Sequence, residues 1–279
     1  MWVGQQLADG LDFWGFLGSL ILGGIILGIY TGLLGYVGAK TGLSLDLLSQ
    51  RTFGEKGSYL PSAMTSFTQI GWFGVGSFVS GGTATPNFAR FAKDGKAGAI
   101  TTVVAFFIGN SLMFFFGAVS SIFVGGNDIF EVMVRLNLFY LAVLVLGLNI
   151  WTTNDNALYT AGLGLANIFH QRKKPMVLLS GIIGTVASVW LYYNFCGWLN
   201  ILNCTLPPVG MILVLAYFMN KEDFETDQPK LKTVDWFAVA GVILGAIVAN
   251  LLHWGIASIN GMVVAAVCYC VGQAVNKRK

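Results

Sequence analysis

The stretch GAITTVVAFFIGNSLMFFFGAVSSIFV, residues 98–124, decides the fold class. It carries no charged side chain and no proline, and it is longer than the ~20 apolar residues an α-helix needs to cross a bilayer. A strand of a membrane β-barrel would instead alternate apolar and polar residues over about ten positions and then turn. Working outward, comparable apolar runs lie near 13–38, 57–82, 97–124, 138–168, 176–195, 198–219, 234–252 and 256–275. The chain therefore reads as an all-α integral membrane protein of about eight helical segments, forming one polytopic domain over residues 1–279.

Composition agrees. Of 279 residues, 55% are hydrophobic and 10% charged, against about 25% charged in an ordinary soluble domain, and the mean hydropathy is +0.70. The net charge of +3 is spread in short basic tracts between apolar runs, a pattern that orients membrane helices and does not bind nucleic acid. Cys196, Cys204, Cys268 and Cys270 form no CxxC pair, and His170 and His253 lie far from one another, so no metal or redox centre is expected. Neither an HExxH nor a GxSxG pattern occurs, which counts against a membrane-embedded enzyme. The opening MWVGQQLADG lacks the basic and apolar regions of a secretory signal.

Cytoplasmic loops of membrane proteins are enriched in Lys and Arg. From residue 86 onward the loops alternate. Arg90, Lys93 and Lys96 are followed by a loop with Arg135 alone, then by Arg172, Lys173 and Lys174, and then by a loop free of basic residues at 195–205. Lys221, Lys230 and Lys232 come next, and Lys277, Arg278 and Lys279 end the chain, which predicts a cytoplasmic C-terminus. The front of the chain breaks this rule. Lys40, Arg51 and Lys56 precede the run at 57–82 and a second basic loop follows it, so one ordinary span would have both ends on one side. Either that segment is re-entrant or an odd number of spans has been lost within it, and glycines 71, 74, 76, 81 and 82, with Pro86, support a break.

Polar residues inside apolar helices are costly and mark sites or helix–helix hydrogen bonds. The densest group is GLNIWTTNDNALY, 147–159, where Asn149, Thr152 and Thr153 stand at i, i+3 and i+4 on one helix face. Their oxygens suit a hard cation such as sodium; the alternative is a set of interhelical hydrogen bonds near a helix end. Asp155 offers a proton-coupling carboxylate or an interfacial residue. In SFTQIGWFG, 66–74, Gln69 and Trp72 are three apart. A planar amide beside a large aromatic face suits a flat polar heterocycle, while an interfacial Trp with Gln capping a neighbouring backbone group fits equally. SFVSGGTATP, 77–86, predicts an unwound helix of the kind that forms transporter sites, or a re-entrant turn with a packing role. Pro207 and Pro208 predict a kink or a hinge, and Trp190, Tyr192, Tyr193 and Trp198 an aromatic belt.

LGIYTGLLGYVGAKTGLS (27–44), TQIGWFGVG (68–76), SFVSGGTATPNFARF (77–91), FFIGNSLMFFFGA (106–118), VLGLNIWTTNDNALYTAGLGLANI (145–168) and GIIGTVASVWLYYNFCGWL (181–199) together resemble the nucleobase cation symporter-1 family. The resemblance implies a LeuT-type fold, two inverted five-helix repeats followed by two further helices. It implies a symporter importing cytosine or a related nucleobase with sodium by alternating access across the bacterial inner membrane. Sodium would be the coupling ion, with lipid around the protein, no cofactor, no nucleic acid and no obligate protein partner. Trp72 and Phe78 would sandwich the base, Gln69 would bond its polar edge, Ser80 would offer main-chain groups, and Gly81 and Gly82 would permit the unwound backbone. Asn149 and Asn154 would complete recognition, and Thr152 and Thr153 with the Asn149 carbonyl would hold sodium. A purine, allantoin or hydantoin substrate, or proton coupling through Asp155, is the alternative.

The same resemblance implies an incomplete fold. TQIGWFGVG would belong to helix three and SFVSGGT to helix six, yet they are adjacent here, so a block of roughly ninety residues is expected between them. The first half of helix one is also expected to be lacking. Residues 1–76 would be a remnant of the first repeat (part of helix one, helix two, part of helix three), 77–219 the second repeat, and 220–279 the two C-terminal helices. Such a chain, taken literally, is expected not to transport.

Overall fold

A computed structural model describes residues 11–75, 81–125, 129–226, 229, 231–252 and 254–276. Among the described residues the chain is helical, without strands. The eight runs read from the sequence appear as α1 (Phe13–Thr41), α3 (Tyr59–Val75), α6 (Gly95–Val124), α8 (Phe139–Phe169), α9 (Lys173–Tyr193), α10 (Phe195–Met219), α12 (Trp236–Leu251) and α13 (Ala257–Asn276). Five shorter helices lie between them: α2 (Leu45–Phe53), α4 (Gly81–Ala84), α5 (Pro86–Ala89), α7 (Ile129–Arg135) and α11 (Lys221–Glu225). Five helices, α1, α6, α9, α10 and α13, contain segments long and apolar enough to cross a membrane. α8 has the length and carries the polar run 149–156 within it.

Local chemistry sets the helix ends. Asp12 caps α1 by accepting from the Gly15 N–H at 3.0 Å, and Gly42, left-handed at φ 67°, closes its other end. Ser44 then caps α2, which turns Leu45, Leu48 and Phe53 into the core. Pro207 and Pro208 sit inside the continuous helix α10. A proline has no N–H to give the carbonyl four residues back, and for Pro207 that carbonyl, Asn203 O, accepts instead from Ser258 Oγ of α13 at 3.1 Å.

Glycine permits the closest helix approach. A Cβ at Gly32 or Gly35 of α1 would lie 2.6 Å from Val103 or 2.5 Å from Thr102 of α6, so only glycine allows that pair to pack face to face. α10 is the most buried of the apolar helices. Val209, Ile212, Leu213 and Tyr217 join it to α1, α2, α12 and α13, while Trp198, Leu202 and Leu206 join it to α8 and α9. Trp198 corrects the aromatic-belt expectation. It is 2% exposed and packs on Gly71 of α3, where a Cβ would come within 2.3 Å of its ring. Trp190 and Tyr193 are exposed at 61% and 80%, as belt residues should be.

The basic loops gather at one end. Glu55 N–H and Lys56 N–H donate to Lys232 O and Thr233 O at 2.8 and 2.9 Å, and Asp235 N–H donates to Phe53 O at 2.6 Å. Segment 81–90 runs back to that end. Thr83 Oγ1 hydrogen-bonds Tyr30 OH midway along α1 at 2.8 Å, Asn87 Oδ1 accepts from Leu45 N–H beyond the end of α1 at 2.8 Å, and Arg90 reaches Tyr159. Both flanks of the charge conflict, at 55–56 and 87–90, thus lie at that end.

Candidate functional site

α3 packs along α8, and their polar contacts set an antiparallel register. Ser62 Oγ accepts from Asn167 Nδ2 at 2.8 Å, and one turn further on Ser66 Oγ donates to Ala161 O at 3.2 Å. Gly164 allows this approach, since a Cβ there would lie 2.2 Å from Ser66 Oγ. Continuing the register puts Gln69 level with Ala157 and Trp72 within a turn of Asn154. The stripe of α8 against α3 comprises Ala157, Thr160, Ala161 and Gly164, all buried, and the helical period extends it to Thr153 and Asn154.

Gln69 is buried at 7% exposure on α3. Asn154 and Thr153 are half-buried, and Asn154 Oδ1 is buried with no hydrogen-bond partner among the described residues. An orphaned acceptor at that depth is costly unless a donor is brought to it. Asn149, Thr152 and Asp155 are exposed. Thr152 Oγ1 donates to its own helix, to Leu148 O at 3.2 Å and Asn149 O at 3.1 Å. Helical period thus puts Thr153 and Asn154 on the face of α8 that packs on α3, the helix carrying buried Gln69, while Asn149 and Thr152 are exposed. Phe78 and Ser80 lie outside the described residues, as does the side chain of Trp72. Gly81 and Gly82, expected in unwound backbone, begin the helical turn α4 instead.

A second polar group, not singled out in the sequence, occupies the basic end of the same helix pair. Asp46 is 5% exposed and accepts from Ser62 Oγ at 2.6 Å. Asn167 ties the group together, donating to Ser58 Oγ at 3.1 Å and Ser62 Oγ at 2.8 Å and accepting from Gln50 Nε2 at 2.6 Å. Burial raises the Asp46 carboxyl from 3.8 to about 6, against the opposing pull of the Ser62 hydroxyl and the Arg90 charge. Arg90 bonds Tyr159 of α8, whose ring lies 3.4 Å from Lys173 Nζ. The signal for this group was present as Ser58, Ser62 and Ser66 at four-residue spacing, a hydroxyl face that begins just before α3 and continues on it.

A cavity of about 270 Å³ lies between α1, α10 and α13, with Tyr30, Thr83, Asn203 and Pro207 among its lining. Among the described residues, none of the site residues expected from the sequence lines it.

The family model described as permease for cytosine/purines, uracil, thiamine, allantoin matches residues 1–83 and 75–274. The cytosine permease of Escherichia coli strain K12 is 36% identical over 372 aligned positions, covering 100% of this chain and 88% of the relative. The cytosine permease of Escherichia coli O157:H7 matches to the same extent. The allantoin permease of Bacillus subtilis strain 168 is 34% identical over 82 residues, 29% of this chain and 16% of that protein.

Proposed function

We propose, from the premise that the chain belongs to the family of permeases for cytosine, purines, uracil, thiamine and allantoin, that it derives from a nucleobase transporter, specifically a secondary active importer of cytosine. The observation that carries this reading is the 36% identity to a cytosine permease along the whole chain. Gln69 supplies the amide for the polar edge of the base and Trp72 the stacking face, with Phe78, Ser80, Asn149 and Asn154 completing recognition. The buried, partnerless Asn154 Oδ1 supports a polar solute at this level of α8. Sodium is the proposed coupling ion, held by Thr152, Thr153 and the Asn149 carbonyl, and a LeuT-type arrangement of the repeats at 1–76 and 77–219, with helices over 220–279, is the proposed architecture. The partial match to an allantoin permease favours, as the second reading, a related heterocycle as substrate.

We further infer that the transporting form contains a block between α3 and α4 that this chain lacks. The alignment with the Escherichia coli relative runs over 372 positions for the 279 residues here, and the family match breaks into two pieces that meet at 75–83. With that block restored, uptake of labelled cytosine should require sodium and fall at least tenfold in Trp72→Ala or Gln69→Ala. Unchanged uptake in both variants would refute the site. The bacterial inner membrane with a cytoplasmic C-terminus is the proposed setting. Lys173→Cys and Lys230→Cys should then resist an impermeant thiol reagent applied to intact cells, and ready labelling would reverse the orientation.

A further inference from the structure

We propose that Asp46 is a proton-binding site, built where α2, α3, α5 and α8 meet at the basic end of the bundle, that takes up a proton in mildly acidic solution while the 86–90 segment is docked on α8. This goes beyond the transport reading and does not depend on which solute the protein carries.

The geometry isolates one carboxyl. Asp46 sits in the first turn of α2, 5% exposed, with Ser62 Oγ donating to Oδ1 at 2.6 Å. Gly164 of α8 closes the other side, its missing Cβ 3.5 Å from the same oxygen. Asn87 of α5 is fully buried and holds the neighbouring Leu45 N–H, while its own Nδ2 meets no acceptor among the described residues. No salt bridge neutralises Asp46 among the described residues. The charged group acting on it is Arg90, which is committed to Tyr159, with Lys173 over that ring. Three further ionisable groups near α2 and α3 are engaged elsewhere. Tyr59 pairs with His170 at 2.6 Å, Arg51 with the carbonyls of Asp223 and Thr226, and Asp235 with Lys232 at 3.0 Å.

A carboxylate taken out of water with one hydroxyl donor, its own backbone N–H and a shared cation takes up a proton more readily than one in solvent. The proton adds to a carboxylate oxygen, giving a neutral acid that keeps the Ser62 bond through Oδ1. The docked 86–90 segment acts in both directions, excluding water, which favours the neutral acid, and bringing Arg90, which favours the carboxylate.

The test is a pH titration of the purified 279-residue chain in detergent by infrared difference spectroscopy. The wild-type minus Asp46→Asn spectrum should contain a neutral carboxyl band that disappears as pH rises through about 6, and ¹³C-labelled aspartate should shift that band. Ser62→Ala, which removes the donor, should move its midpoint upward by about one pH unit, and Arg90→Gln should move it upward by less. A band missing from labelled wild type, a midpoint near the ordinary carboxylate value of about 4, or a midpoint unmoved by both variants would overturn the proposal. Uptake measurements test the transport reading separately, since loss of cytosine flux leaves this titration unchanged.

Discussion

Helices α3 and α8 carry two polar regions that the structure treats in opposite ways. At the basic end Asp46, Ser58, Ser62 and Asn167 are linked by hydrogen bonds of 2.6 to 3.1 Å. About 10 Å further along α3, the more polar run 149–156 is largely exposed, with Thr152 bonded to its own helix and Asn154 Oδ1 orphaned. Both regions interrupt apolar helices, so polarity does not separate them. The presence of partners does: α2 follows α1 directly and closes the first region, whereas no described element covers the Asn149–Thr152 face of the second. A polar side chain on an apolar helix shows where a partner is needed, and its bonding shows whether the chain supplies one.

The comparison is easiest to break at Asn167. Asn167→Ala removes the donor to Ser58 Oγ and Ser62 Oγ, which keep their own bonds to Glu55 O and Asp46, and leaves the Gln50 amide without its acceptor, and should cost about 3 kcal/mol; a detergent melting curve unchanged from wild type would mean that the network is decorative. The next effect is pH-linked. Asp46 has its folded-state pKa raised from 3.8 to about 6 by burial, so the folded state favours the protonated acid. Its contribution is fully present below about 4 and is lost as pH rises to about 6, at most about 3 kcal/mol. Asp46→Asn should remove this component and stabilise the chain at neutral pH; a variant that instead keeps the wild-type pH slope would place the titrating group elsewhere. The smallest effect is expected in the open region. Thr152→Val removes an exposed hydroxyl bonded to its own backbone and should change stability by no more than about 0.5 kcal/mol, and a loss of several kcal/mol would show that 149–156 is already packed in this chain.

The long helices were legible because a bilayer-length apolar run has one economical structure, and α6 and α13 lie within two residues of the runs read for them. α2 was not legible, because LDLLSQRTF is short and mixed in character and becomes a helix through its Ser44 cap and the burial of Leu45, Leu48 and Phe53. Trp198 was misread for a related reason. An aromatic residue near a helix end fits a membrane interface, and only the contact with Gly71 shows that it fills the core. Of the site, Gln69 and the α8 polar run were visible as breaks in hydropathy, but which of Asn149, Thr152, Thr153 and Asn154 faces α3 depends on the register set by Ser62 and Ser66. Asp46 escaped because a single acid between two spans looks like a solvated loop residue until Ser62 and Gly164 are placed beside it.

The central claim is that the Asn149–Thr152 face of α8 is exposed because the partners proposed for it belong to a block missing between α3 and α4. Sodium-dependent uptake of labelled cytosine into proteoliposomes, compared between the 279-residue chain and the same chain with the relative's intervening segment restored, tests it directly. The account predicts saturable flux from the restored protein and none from the chain with the present junction, whose melting temperature should also be unmoved by cytosine. Transport by the 279-residue chain at even about a tenth of the restored rate, roughly 1.4 kcal/mol in activation free energy, would contradict it.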